Sequence, residues 1–148
     1  MGRIDLPWRS APGLRLNAIC PYYTMFPLSF PYTALRDAEH GEWVLDPFCG
    51  RGTTNFAARL RGLPSVGIDS NPVACAVAAA KLVSAEPAAI AERCKAILAR
   101  GRALDVPGGE FWDLCFHKRT LEELCRLRDR LRHRCTTEVD IALRALVL

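Results

Sequence analysis

No stretch of this 148-residue chain stays apolar over the ~18 residues that a helix needs to cross a bilayer, so no membrane role is expected. Met1 to Ser10 lack the apolar centre of a signal peptide, and secretion is not expected either. Seven cysteines, at 20, 49, 75, 94, 115, 125 and 135, include no Cys-x-x-Cys pair. An odd, scattered set of this kind speaks against a disulfide framework or a zinc site and for a reducing cytoplasm. No Gly-Lys-Ser or Gly-Lys-Thr occurs, which excludes a P-loop. Charge is nearly balanced, 20 Lys plus Arg against 16 Asp plus Glu for a net +4. Arg126, Arg128, Arg130, Arg132 and Arg134 alternate without an interleaved aromatic, so stacking on single-stranded bases is not supported there. On a helix that alternation spreads around the surface, leaving both phosphate binding and a plain solvated face open.

What the chain does have is a strand, a glycine turn and a helix start within a few residues. Trp43, Val44 and Leu45 read as a short buried parallel strand, which Asp46-Pro47 ends because proline cannot donate to the ladder. Gly50 and Gly52 then permit tight backbone angles and close approach of a ligand, and Thr53 and Thr54 are expected to cap the helix that follows. Phe56, Ala57 and Leu60 share one face of that helix, Gly62 suits a left-handed cap, and Pro64 stops continuation. A second strand, Ser65 to Ile68, delivers Asp69 17 residues after Gly52. In nucleotide-binding βαβ units an acid about 20 residues past the glycine loop accepts the ribose hydroxyls. A dinucleotide fingerprint would want Gly or Ala where Asn55 stands, which disfavours a nicotinamide or flavin enzyme. A strand-to-helix turn with no ligand is the remaining bland reading.

Together, Asp46-Pro47-Phe48-Cys49-Gly50-Arg51-Gly52-Thr53-Thr54 and Gly67-Ile68-Asp69-Ser70-Asn71-Pro72 resemble the S-adenosylmethionine motifs of DNA methyltransferases that modify exocyclic amines of adenine or cytosine. Tyr22-Tyr23-Thr24-Met25-Phe26-Pro27 is similar to the extra cofactor motif that precedes the glycine loop in some circularly ordered members. The resemblance covers roughly residues 20 to 83. It implies an S-adenosylmethionine site drawn from Tyr23, Thr24, Phe26, Asp46, Phe48, Gly50, Gly52, Thr53, Asp69, Asn71 and Pro72. The methionine part would lie on the Asp46 to Gly52 loop and the ribose on Asp69. Phe48 and Pro72 would flank the cofactor, and Thr24 and Phe26 would close the methionine end. A sulfonium cation favours carboxylates and aromatic faces, which Asp46, Phe48 and the tyrosines offer.

The same family presents its catalytic loop as Asp, Asn or Ser, then Pro-Pro, then Tyr or Phe, and the chain has no Pro-Pro dipeptide. Asp46-Pro47-Phe48 and Asn71-Pro72-Val73 match it only in part, so no catalytic residue is assigned. Carbon methylation of cytosine would need a cysteine after proline, and no Pro-Cys occurs. Cys49 reads as a small buried residue.

Beyond Pro72 the pattern is helical. Val73 to Val83 is alanine-rich, Pro87 to Arg100 sets Ile90, Cys94, Ile97 and Leu98 on one face, and a loop with Pro107, Gly108 and Gly109 follows. Thr120 to Leu131 repeats Leu121, Leu124, Leu127 and Leu131, and Asp140 to Leu148 is a further apolar helix. Cys115, Cys125 and Cys135 are expected to pack helical faces, with His117, His133 and His40 at the surface and no metal bound. The expected fold is α/β, a Rossmann-like methyltransferase fold left incomplete, with a helical carboxy-terminal part. Residues 1–40 would form an amino-terminal segment with the extra motif, 41–83 an S-adenosylmethionine-binding βαβα core and 84–148 a helical region. The expected function is the cofactor-binding part of a DNA amine methyltransferase, with DNA as partner and a downstream half or partner chain completing the domain. A non-catalytic or vestigial S-adenosylmethionine-binding module, or an enzyme acting on RNA or protein, is the alternative.

Overall fold

The structure, a computed structural model, describes residues 16–19, 26–133 and 135–148. The chain divides into two compact units, Met1–Val83 and Ser84–Leu148.

In the first unit the elements run α1 (Ser29–Ala34), β1 (Val44–Asp46), α2 (Thr53–Leu60), β2 (Ser65–Gly67) and α3 (Pro72–Ala80). The two strands pair in parallel, Val44 with Ser65, Leu45 with Val66 and Asp46 with Gly67, so α2 is the crossover of a βαβ unit. Its core is built from small side chains around one large one: Phe56 is fully buried with Ala57, Ala58, Ala76, Val77, Ala78 and Ala80. Burying that phenyl ring contributes roughly 2–3 kcal/mol. Backbones come close enough to demand glycine at two points. A Cβ on Gly52 would sit 2.7 Å from the Ala78 Cβ, and one on Gly67 would sit 2.7 Å from the Asn55 Oδ1 and 2.9 Å from the Cys49 Cβ.

The strands are shorter than their apolar runs, and among the described residues of this unit nothing covers the face opposite α2. Trp43, Leu45, Val66 and Ile68 are 70%, 64%, 43% and 55% exposed, where a parallel strand normally has cover on both sides. Gly52, at φ 70°, is the residue before α2, so Thr53 and Thr54 lie inside the helix and make no cap, contrary to the expectation above. Gly62 is left-handed at φ 71°, as its position after the helix requires. Asn71 caps α3 by accepting from the Val73 N–H at 2.9 Å, with Pro72 in the first turn. α1, with Pro31 buried in it, was not foreseen; Arg61 of the α2 end lies 3.8 Å over the Tyr32 ring and donates to the Tyr32 carbonyl.

The second unit is helical: α4 (Pro87–Leu98), α5 (Glu110–Cys115), α6 (Lys118–Leu131) and α7 (Glu138–Val147). Ile97, Leu127, Leu131 and Leu143 form its buried centre, with Ile90, Cys94 and Leu98 of the expected α4 face packed against it. Arg93 joins α4 to α7 through two hydrogen bonds to Asp140, 2.7 and 3.2 Å. Thr137 caps α7 by accepting from the Asp140 N–H at 3.1 Å. Cys125 is buried and Cys135 half-buried, but Cys115 is exposed and packs no helical face, because α5 turns it outward. Among the described residues no helix is long and apolar enough to cross a membrane.

Candidate cofactor-binding site

The end of β1 and the end of β2 lie side by side, so the two loops that leave them meet. The Cys49 N–H donates to the Ile68 carbonyl at 2.9 Å, continuing the ladder past the strands. At that junction the Asp69 carboxylate is held by both loops: Oδ2 accepts from the Gly50 N–H at 2.9 Å and Oδ1 from the Asn71 N–H at 2.8 Å. Asp46 turns back on its own loop, its Oδ1 accepting from the Phe48 N–H at 3.2 Å. Gly50 and Gly52 both have positive φ, 49° and 70°.

These turns enclose a cavity of about 640 Å³ lined by Phe26, Leu45, Asp46, Phe48, Cys49, Gly50, Arg51, Thr53, Thr54, Asp69, Asn71, Val73, Ala74 and Val77. Of the residues expected from sequence, Phe26, Asp46, Phe48, Gly50, Thr53, Asp69 and Asn71 are brought together on its wall. Gly52 is buried beneath Ala78 and does not line it, nor does Pro72, which is exposed in the first turn of α3. Tyr23 and Thr24 lie outside the described residues. Among the wall residues not expected from sequence, Val73, Ala74 and Val77 come from the first turns of α3. The i, i+4 spacing of the two valines behind the Asn71 cap is the pattern that marks them.

The electrostatics favour a cation at the mouth. Two carboxylates, Asp46 and Asp69, line the cavity, and its one arginine is turned away: the Arg51 guanidinium donates to the Asn17 and Ile19 carbonyls at 2.7 and 2.6 Å. Buried Lys81 reaches the same segment, its Nζ donating to the Asn17 Oδ1 at 3.1 Å, so residues 16–19 are pinned against the loop. Burial, and then the neighbouring Cys75, Asp69 and Asp46, push the Cys49 thiol above the usual thiol range, which keeps it a neutral packing group rather than a nucleophile. Phe48 stands 88% exposed, an aromatic face free of packing among the described residues.

The profile of the DNA methylase family matches residues 12–80, the stretch that carries this loop, crossover and acid. That stretch is similar to the DNA methylase family. The chain is also 37% identical over 68 residues to the type II methyltransferase M.MjaII of Methanocaldococcus jannaschii. That alignment covers 45% of this chain and 13% of the relative, so the chain spans a small part of that methylase's length. No solved structure matches the chain.

Proposed function

We propose that the first unit binds S-adenosylmethionine and serves as the cofactor-binding part of a DNA methyltransferase that modifies an exocyclic amine of adenine or cytosine. The observation that carries the proposal is the Asp69 carboxylate, set on the wall of the 640 Å³ cavity between the Gly50 and Asn71 amides. Each of its oxygens accepts one backbone N–H, and a carboxylate has about four lone-pair sites, so capacity remains for two ribose hydroxyls. The lining fits the group in its other respects. Asp46 and the exposed Phe48 face favour a sulfonium cation, no lysine is placed for phosphates, and Thr53 and Thr54 at the start of α2 suit the methionine carboxylate. When bound, S-adenosylmethionine supplies an electrophilic methyl group. The chain's own part is to hold the ribose at Asp69, to cover one side with Phe26 and Phe48, and to present the methionine end along the glycine loop. A cytoplasmic setting and a place in restriction and modification of DNA are part of this reading.

Calorimetric titration with S-adenosylmethionine tests this. Phe48→Ala removes a side chain that supports nothing else and is expected to weaken binding by roughly tenfold with an unchanged melting temperature. Asp69→Ala is expected to abolish binding, with Asp69→Asn intermediate because it keeps an acceptor. No binding by the native chain, or equal binding by all three variants, would sink the proposal.

A further inference from the structure

The second unit lies beyond the residues matched to DNA methylases, and the structure gives it a feature that the sequence pattern hid. The alternating arginines of α6 are sorted by the helix into two sets. Arg128 and Arg132 line one cavity, while Arg126 and Arg130, four residues apart, point to another side. There they meet Arg93 of α4 and Arg100 and Arg102 of the loop that follows it, around a cleft of about 360 Å³ whose one acidic wall residue is Asp129.

Ion pairs and helix ends account for only part of this cluster. Arg93 is held by Asp140; Arg126 is held by Glu122 at 2.7 Å and by the Leu98 carbonyl at the end of α4. Asp129 is taken by Arg128 at 2.8 Å and by the Leu104 N–H. Every carboxylate at the cleft is therefore already engaged, and each is outnumbered by cations. Glu122 is held below the usual carboxylate range by Arg126, with Arg102 and Lys118 adding to it; Asp140 is held there by Arg93, with Arg130 adding. Arg100, Arg102 and Arg130 make no direct hydrogen bond or ion pair among the described residues, although Arg102 acts through charge on Glu122 and Arg130 on Asp140. Three exposed guanidiniums with free N–H donors around one cleft present a positive surface that an anion would complement.

We propose that this cleft binds the phosphodiester backbone of duplex DNA through Arg100, Arg102 and Arg130. The ligand chemistry is that of phosphate anions held by planar guanidinium donors, and the choice of DNA as their source rests on the reading of the first unit. Guanidinium contacts to phosphate give affinity and orientation without sequence preference.

The full chain is titrated into a fluorescently labelled DNA duplex over a range of salt concentrations, beside two triple variants. Arg100→Gln/Arg102→Gln/Arg130→Gln empties the cleft of its free charge without touching any ion pair. Arg36→Gln/Lys95→Gln/Arg119→Gln removes three cations elsewhere. The cleft variant is expected to bind at least tenfold more weakly than the other, with the slope of log affinity against log salt reduced by about 2.7 for three phosphates. Equal binding by the two variants, or no duplex binding by the native chain, overturns the proposal. Inorganic pyrophosphate that binds the native chain and not the cleft variant, while duplex binding is unchanged, identifies a small-anion site and overturns it as well. S-adenosylmethionine titrations on the same proteins keep the two units apart. A native chain that binds DNA through the cleft but binds no S-adenosylmethionine overturns the cofactor reading alone.

Discussion

Gly50 and Gly52 share a loop and a positive φ, yet substitution should separate them. A Cβ on Gly50 meets nothing within 4 Å, whereas one on Gly52 lands 2.7 and 2.9 Å from the Cβ and Cα of Ala78. Gly50→Ala carries only the left-handed penalty of about 1–2 kcal/mol. Gly52→Ala adds a backbone clash that α2 and α3 must part to relieve, so its loss on chemical denaturation should exceed that of Gly50→Ala by at least about 1 kcal/mol. Equal losses would mean that the helices separate freely. A second expectation concerns Cys49, whose thiol is raised mainly by burial. A raised value favours the neutral form in the fold, so that contribution is complete below the unfolded thiol value and is lost as pH climbs through the folded one. Stability should fall as pH rises past the unfolded thiol value of about 8.5, and Cys49→Ala should flatten part of that fall. At this scale much was legible. Asp46, Gly50 and Asp69 follow from strand ends and spacing, which are local. The burial of Gly52 under Ala78 was not legible, since it depends on how α3 crosses α2.

Elements packed by side-chain periodicity were readable, and those set by tertiary contacts were not. The faces of α4 and α6 follow from apolar residues three and four apart, and of these Ile97, Leu127 and Leu131 enter the buried centre of the second unit, with Ile90, Cys94 and Leu98 packed against it. α1 holds Pro31, and α5 is six residues with Phe111 and Leu114 outward, so neither shows an apolar stripe in the sequence. The partition of the α6 arginines also escaped, because it is decided by what α4 and the loop after it place opposite. The tie between α4 and α7 rests on Arg93 and Asp140, whose carboxyl is held below the usual range first by the Arg93 hydrogen bond, with Thr137 contributing at the cap. A lowered carboxyl stabilises the fold fully above its unfolded value of about 3.9, and the contribution fades as pH falls through the lower folded value. Asp140→Ala is expected to cost about 1 kcal/mol near neutral pH, since the pair is partly exposed, and to make the acid limb of the stability curve shallower. An acid limb identical to that of the native chain would place the stabilisation elsewhere.

At the scale of the molecule, the decisive feature of the first unit is an asymmetry of its sheet. One face is closed by α2, and the other shows Trp43 and Leu45 of the first strand region beside Val66 and Ile68 of the second, all solvent-exposed and adjacent through the Leu45–Val66 register. These side chains cover one continuous apolar surface, which monomeric proteins seldom leave in water. The strand residues are β-branched, aromatic or leucine, chosen for burial on both faces, so the surface is a property of the sequence rather than of one rotamer. The expected consequence is strong binding of the dye ANS to the native chain and concentration-dependent association in light scattering. Leu45→Lys with Val66→Lys places two like charges at the centre of that face and should abolish both signals. Because the substituted side chains point away from α2, helical circular dichroism should change little. If the double variant instead unfolds, the face is already covered in solution, and the association seen with the native chain must arise from another surface.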